Sequence, residues 1–328
     1  MHNYIKNKII GKKEVFNFSI IERRVIMALM YLAKINLNSK IFEVYSNKLK
    51  IDDVLEIIYK RLSEDVKYIN ELKTNFIDSL GNSHAYTRIS KYQFVELNKQ
   101  MNNIITGKIV RTFNKPTEKY NEITKKMDQI YNEESVSIFF YFDVRREMIT
   151  FCERQSFGYN QFMESFSALL EHSVPEYKFE LFLQKDANVL EEKLMTFELV
   201  NRVKATLIPP NSNEEDLAEL RATLTYLKQC EDVNANKLNI EMLTDKDSTL
   251  SMESKYMKDI FKAVKLGYGD VTASGKNKNG REQIVKSTTD AAYTRIVSDD
   301  LSTYDYEKES KEFIDIYFVG LMRVRTQN

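Results

Sequence analysis

Four glycines lie within fourteen residues of each other, in a segment that is also rich in lysine, asparagine, serine and threonine: Gly267, Gly269, Gly275 and Gly280. A glycine-rich turn followed by lysine can bind phosphate through exposed backbone amides. The spacing is not that of a P-loop, because five residues separate Gly269 from Gly275, and Asn277 stands where Ser or Thr would hold Mg²⁺. The segment therefore indicates contact with an anion and not nucleotide chemistry.

The same segment has the pattern of a β-hairpin. VTAS and REQIVKS flank KNKNG, in which Asn279 and Gly280 are typical of a type I′ turn. Residues 262–297 hold seven basic and three acidic residues, a net charge of +4. Lysine and arginine supply most non-specific nucleic-acid affinity, and hydroxyls add positioning hydrogen bonds. The predicted nucleic-acid-binding residues are Lys276, Lys278, Arg281, Lys286, Ser274 and Thr288. The alternative interpretation is a solvated hairpin tip with no binding role.

Residues that could catalyse a reaction are few. A nucleophile and base pair of Cys152 and His172 is conceivable, but nothing in the sequence supports it, and a buried thiol and a histidine near a helix end are the preferred interpretation. Carboxylates at Asp143, Glu147 and Glu153 flank one apolar hairpin and leave open a metal-dependent nuclease as an alternative. No strand carries the acid-x-lysine pattern of such enzymes. The prediction is a non-enzymatic protein with no catalytic residue, no metal site and no cofactor.

Composition restricts the class of protein further. The chain has 328 residues, enough for two domains, with 48 basic and 48 acidic residues, so that only a local patch could attract nucleic acid or a membrane. Two cysteines without CxxC spacing are typical of a reducing compartment. No apolar run approaches the roughly 20 residues that span a bilayer. A cytoplasmic protein without direct membrane insertion is expected.

The polar stretch TFNKPTEKYNE around Pro116 predicts a linker at about residues 113–133. It would separate a mixed N-terminal domain, residues 1–115, from an α+β domain, residues 133–328. In the first region VLEIIYKRLSEDVKYINELK has helical spacing, whereas YQFVELNKQ and IITGKIVRTF resemble strands.

The second region alternates strands with helices. SVSIFFYFD and REMITFCE predict a buried hairpin, a helix follows Gly158, and Ser212 with Glu215 forms a capping box before another helix. A hairpin at the glycine segment and a terminal helix, YEKESKEFIDIYFVGLMRVR, complete the order. The predicted fold class is α+β, with a mixed, mostly antiparallel sheet, packed helices and a C-terminal β-hairpin plus terminal helix.

The order of these segments, with the turn IPPN, the GYG triplet and the KNKNG hairpin, resembles a phage- and prophage-associated family over residues 95–328. More distantly, the layout is similar to the phage-exclusion protein RexA of lambda and to the B component of the Kiwa defence system. This resemblance implies a DNA-binding protein of phage defence or phage exclusion that is a homodimer and has a membrane-protein partner encoded nearby. An interaction module that binds another protein is a third hypothesis, based on the amphipathic N-terminal segments.

Overall fold

Two antiparallel sheets form the framework of the protein, with helices packed on both. The computed structural model describes residues 27–77, 83–211 and 225–326. The strands are, in chain order, β1 (Met27–Leu37), β2 (Lys67–Ile77), β3 (Ser83–Gln100), β4 (Ile104–Asn121), β5 (Lys126–Asp143), β6 (Met148–Cys152), β7 (Phe179–Leu183), β8 (Phe197–Leu207), β9 (Leu238–Leu243), β10 (Gly269–Asn277), β11 (Glu282–Lys286) and β12 (Thr294–Ser298). The helices are α1 (Ile41–Tyr45), α2 (Ile51–Arg61), α3 (Tyr159–Ser173), α4 (Ala187–Leu194), α5 (Thr225–Val233), α6 (Lys255–Lys265), α7 (Ser287–Asp290) and α8 (Thr303–Thr326).

The first sheet has the strand order β12-β1-β6-β5-β4-β3-β2, and β7 pairs with the second half of β1. The second sheet has the order β11-β10-β8-β9. The predicted α+β class, the hairpin at the glycine segment and the terminal helix are confirmed. The strands form two sheets, and the chain returns from the second to the first at β12, which pairs with β1.

Helix α3 covers one face of the first sheet, and its aromatic residues form the centre of the largest core. The ring of Phe166 meets the rings of Phe94, Phe140 and Phe142 edge to face, at centroid distances of 5.4, 5.3 and 5.6 Å. Edge-to-face contacts of this kind add stabilisation beyond the buried area. The hairpin and the helix after Gly158 that the sequence predicts are therefore both confirmed.

Helix α8 covers the opposite face of the same sheet. Its Phe313, Ile314 and Tyr317 are buried against Met30 of β1 and Tyr141 of β5. Covering both faces explains why SIFFYF in β5 is almost continuously apolar instead of alternating. Within the described ranges no helix, α8 included, combines the length and apolarity needed to cross a bilayer.

The segment 113–133, predicted as a linker, forms the outer part of a long β-hairpin, and we call this part the hairpin arm. Strands β4 and β5 pair in one continuous register along their whole length. Pro116 is compatible with this hairpin because β3 stops pairing with β4 at Phe113, so that Pro116 lies on a strand edge where a missing N–H is tolerated. The prediction of a linker is wrong, and the first sheet combines strands from both sides of it.

The predicted helix over residues 54–73 is shorter in the structure. Helix α2 ends at Arg61, Leu62 turns away with ψ 123°, and β2 begins at Lys67. Pairing with β3 outweighs the helical spacing, since Tyr68 stacks on Tyr92 at a centroid distance of 5.7 Å. A cross-strand aromatic pair of this kind stabilises a sheet.

Helices α5 and α6 cover one face of the second sheet. Val203 and Ala205 of β8 and Val271 and Ala273 of β10 point to this face and are buried. Helix α6 is capped by the Ser254 hydroxyl, which accepts a hydrogen bond from the backbone of its first turn. The capping box predicted at Ser212 and Glu215 lies outside the described residues.

Buried polar residues join the two sheets. Lys34 of β1 donates a hydrogen bond from Nζ to the Tyr268 hydroxyl at 3.0 Å, and its Nζ lies 3.9 Å from Glu147 Oε2. Asn211 donates to the other Glu147 oxygen. The Lys34 and Glu147 side chains are each only 12% exposed. Burial raises the pKa of Glu147 to about 7, although the charge of Lys34 opposes the rise.

Replacing Phe166 by Ala tests the aromatic core. The substitution removes a fully buried ring and its edge-to-face contacts, so we expect a loss of about 3–5 kcal/mol in the free energy of unfolding. Urea denaturation followed by tyrosine fluorescence measures this loss. The control is Tyr120→Ala on the hairpin arm, where the side chain is 51% exposed and the effect should stay within about 0.5 kcal/mol. Equal effects of the two substitutions would contradict this core assignment.

The raised pKa of Glu147 predicts a pH dependence of stability. The folded-state pKa of about 7 exceeds the ordinary value of 4.5, so the folded protein binds the extra proton and loses stability as pH rises from about 4.5 to about 7. This loss is on the order of 2–3 kcal/mol. Glu147→Gln should remove that loss from the wild-type stability profile, measured by denaturation at a series of pH values. An unchanged profile in the variant would show that Glu147 does not titrate in this range.

Candidate nucleic-acid interface

The glycine and lysine segment begins at the junction of the two sheets. Gly267 has φ +83°, and a Cβ atom there would overlap the side-chain amide of Gln184. Its carbonyl oxygen accepts a hydrogen bond from Asn36 Nδ2 at 3.4 Å. A glycine at this position is therefore required for packing between the sheets, and a phosphate ligand is not needed to explain it.

The turn between β10 and β11 differs from the predicted type I′ turn. Asn279 does not have positive φ, whereas Gly280 has φ +70°. The Gly280 amide donates to the Asn277 carbonyl at 2.8 Å, and the Asn277 side-chain oxygen accepts from the amides of Asn279 and Arg281. A turn closed in this way with a single left-handed glycine is typical of a three-residue hairpin loop. The loop presents Lys278 and Arg281 to solvent.

The face of the second sheet opposite α5 and α6 is polar, and we call it the open face. Its side chains alternate along each strand with the buried ones. Lys286, Thr272, Lys204 and Glu241 form one row across the four strands in register. The full set comprises Arg202, Lys204 and Thr206 of β8, Asn239, Glu241 and Leu243 of β9, Asp270, Thr272, Ser274 and Lys276 of β10, and Glu282, Ile284 and Lys286 of β11.

Some cations of the open face are partly neutralised. Glu241 Oε1 lies 2.5 Å from Arg202 Nη2 and 3.5 Å from Lys204 Nζ, and the hydrogen bond from Arg202 lowers the pKa of Glu241. These pairs are solvent-exposed, with about half of the Lys204 side chain accessible. Exposed pairs of this kind contribute little to stability and exchange readily for another anion.

The six predicted binding residues do not all lie together. Ser274, Lys276 and Lys286 are on the open face, and Lys278 and Arg281 are in the adjoining turn. Lys276 is held by Asp247 at 2.8 Å, and this hydrogen bond raises the pKa of Lys276. The other three cations have no charged partner in the part of the chain that the structure describes.

Thr288 is the exception among the predicted residues. It lies on α7 and lines a cleft toward the first sheet, away from the open face. A nucleic-acid backbone that lies on the open face would therefore contact Lys278 and Arg281 but not Thr288.

The sequence analysis missed four open-face residues that carry a cationic or hydroxyl group: Arg202, Lys204, Thr206 and Thr272. A signal for three of them is present, because RVKAT in β8 alternates polar and apolar residues with period two. That alternation predicts an exposed basic face as soon as β8 is placed beside β10. The pairing itself, Ser274 opposite Arg202, is a long-range contact that local sequence does not specify.

The three carboxylates considered for a nuclease do not converge. Asp143 pairs with Arg146 at 3.2 Å, Glu147 faces Lys34, and Glu153 accepts a hydrogen bond from the Tyr31 hydroxyl at 3.2 Å. Glu147 and Glu153 stand at opposite ends of β6, roughly 20 Å apart at the usual rise of a strand. No group of three metal-ligating side chains occurs among the described residues. The geometry does not support the nuclease alternative.

Cys152 and His172 also lie apart. Cys152 packs on the α8 side of the first sheet, where burial raises its pKa to about 11. His172 lies on α3, on the other side, and its Nδ1 is 2.9 Å from the Lys67 carbonyl oxygen. A thiol with a raised pKa and no base beside it is a poor nucleophile. Cys152 is therefore better interpreted as a buried thiol, and His172 as a structural histidine.

Comparison with known proteins adds a family but no activity. No curated protein matches the sequence. A family model with the description "Domain of unknown function (DUF4747)" matches residues 34–314, across both predicted domains. Because this match covers most of the 328 residues, the chain belongs to the DUF4747 family.

Proposed function

We propose that this protein binds the phosphate backbone of DNA, without sequence preference, through the open face of the second sheet and the adjoining turn. The observation that carries the proposal is a set of exposed cations on one side of the second sheet: Lys204 on β8, Lys286 on β11, and Lys278 and Arg281 in the turn that joins β10 to β11. Strands in a sheet are about 4.8 Å apart, so that these cations can approach several consecutive phosphates.

Hydroxyl groups complete the proposed site. Thr272 lies between Lys286 and Lys204 in the same row, and Ser274 lies between Ile284 and Arg202 in the next. Serine and threonine hydroxyls donate to phosphate oxygens and fix the register of a protein on the backbone. No aromatic side chain belongs to the open face in the four described strands, which supports backbone contact over base stacking.

A non-enzymatic role fits the same geometry. Three of the acidic residues on or beside the open face are held in ion pairs: Glu241 with Arg202, Asp247 with Lys276 and Asp270 with Lys185. They are therefore not arranged to hold a catalytic metal ion. We propose a sensor or effector that acts by binding.

The biological setting that we propose comes from the resemblance of the second region. It is a cytoplasmic role in phage defence or phage exclusion, with the protein as a homodimer that signals to a membrane-protein partner encoded nearby. Two buried free thiols, Cys152 and Cys230, support a reducing compartment. The DNA-binding proposal rests on the open face and does not depend on this setting.

A salt series measures the proposed contact. Duplex DNA should bind with a log affinity that falls steeply with log salt concentration. The quadruple variant Lys204→Gln, Lys278→Gln, Arg281→Gln and Lys286→Gln should reduce that slope by about 3–4, because each lost phosphate contact removes about 0.9. Gel shift or fluorescence anisotropy from 50 to 300 mM salt, about the range in which such contacts weaken, gives the slope.

The matched control carries the same charge change on the hairpin arm: Lys115→Gln, Lys119→Gln, Lys125→Gln and Lys126→Gln. These four lysines lie in or beside β4 and β5, far along the first sheet from the open face. The control should keep the wild-type slope. Equal losses in both variants, or no binding by the wild type at low salt, would refute the proposal. RNA of the same length, run in parallel, shows which backbone is preferred.

Removing Asp247 should strengthen binding. Asp247→Asn releases Lys276 from its ion pair and removes a negative charge beside the proposed site. We expect DNA affinity to rise roughly twofold to fivefold, because an exposed ion pair of this kind is weak. The rise should vanish when Lys276→Gln is added. A loss of affinity in Asp247→Asn would place the DNA elsewhere.

A further inference from the structure

A cleft lies on the side of the molecule where β12 returns to the first sheet, separate from the open face. Its volume is about 540 Å³, within the size range of small-molecule sites. Residues from β1, α3, α4, α7, β12 and α8 line it. Because so many elements meet there, its walls are fixed by the packing of both sheets.

Phenol rings form part of the cleft wall. Tyr31 stacks on Tyr159 at a centroid distance of 5.5 Å, and Tyr293 stacks on Phe313 at 5.0 Å with the rings nearly parallel. Tyr159 and Tyr293 remain half-buried and present ring surface to the cleft. Aromatic faces are electron-rich and attract cations.

Two carboxylates in the same wall are held by backbone amides. Asp186 accepts from the amides of Asn188 and Val189 through Oδ1, and Asp290 accepts from the Lys286 amide through Oδ2. One oxygen of each carboxylate makes these bonds, and neither forms an ion pair with a described residue. The negative charge of Asp186 also contributes, after burial, to raising the pKa of Tyr293. Both carboxylates are thus positioned before any ligand arrives.

Among the described residues, Arg295 is the one cation in the cleft wall, and it is already neutralised. Arg295 lies 2.9 Å from Glu309 and 3.5 Å from Glu312, both on α8. Its guanidinium also stacks over the ring of Phe313. An anionic ligand would have to compete with two carboxylates for Arg295. The cleft therefore favours positive charge.

We propose that this cleft binds a small organic cation, with its ammonium group between the Asp186 and Asp290 carboxylates and its body against the Tyr159 and Tyr293 rings. A carboxylate and an aromatic face together recognise alkylammonium groups better than hydrated metal ions, because the rings replace water around the methylene or methyl groups. This site is independent of the proposed DNA-binding face.

Titration calorimetry with spermidine and with tetramethylammonium as probes tests the assignment. The variants Asp186→Asn and Asp290→Asn remove charge, while the asparagine oxygen can still accept the same backbone amides. Each should weaken spermidine binding about tenfold, the equivalent of one lost charge-assisted contact. Tyr293→Leu should weaken tetramethylammonium by about fivefold. Asp128→Asn on the hairpin arm is the charge-matched control and should bind as the wild type does.

Two results would overturn the assignment. One is the absence of binding of both probes to the wild type. The other is an equal loss in Asp128→Asn and in the two cleft variants, which would identify general attraction to an acidic surface. Thermal melts without ligand test whether each variant is folded. If the melting temperature of Asp290→Asn is lowered, the spermidine affinity of Asp186→Asn alone tests the proposal.

Discussion

The contact between the Gly267–Tyr268 turn and strand β1 is the constraint on which the arrangement of the two sheets depends. Asn36 holds the Gly267 carbonyl, Lys34 reaches the Tyr268 hydroxyl, and Gln184 occupies the space that a side chain at 267 would need. Tyr317 of α8 donates in turn to Gln184. Hydrogen bonds in a low-dielectric interior are costly to break, so this network favours one docking geometry over neighbouring ones.

Both candidate sites follow from that junction. Strand β10 starts directly after it, and its alternation sends Thr272, Ser274 and Lys276 to the open face while Val271 and Ala273 enter the core. The chain then returns through α7 to β12, which pairs with β1 and places Asp290 and Tyr293 beside the cleft. The architecture therefore explains the glycines that open this segment, and the lysines that follow them belong to the proposed DNA-binding surface.

Local patterns predicted much of this fold. The apolar runs of β5 and β6, the helix after Gly158, the hairpin around Gly280 and the terminal helix all appear where the sequence places them. The failures share one cause, which is strand pairing that local sequence patterns do not show. Residues 66–73 have helical spacing but pair with β3, and residues 113–133 are polar because they form an exposed hairpin and not because they are a linker. Of the open face, the sequence predicts β10 and β11, whereas Arg202 and Lys204 of β8 come to lie beside them only through long-range pairing with β10.

Hydrogen exchange in the presence and absence of duplex DNA tests the central claim most directly, because it locates the contact without any substitution. The account predicts slower exchange in peptides from β8, β10, β11 and the turn between Asn277 and Arg281, with no change in the hairpin arm of β4 and β5. Protection confined to that arm, with exchange in the second sheet unchanged, would contradict the claim that the open face binds DNA.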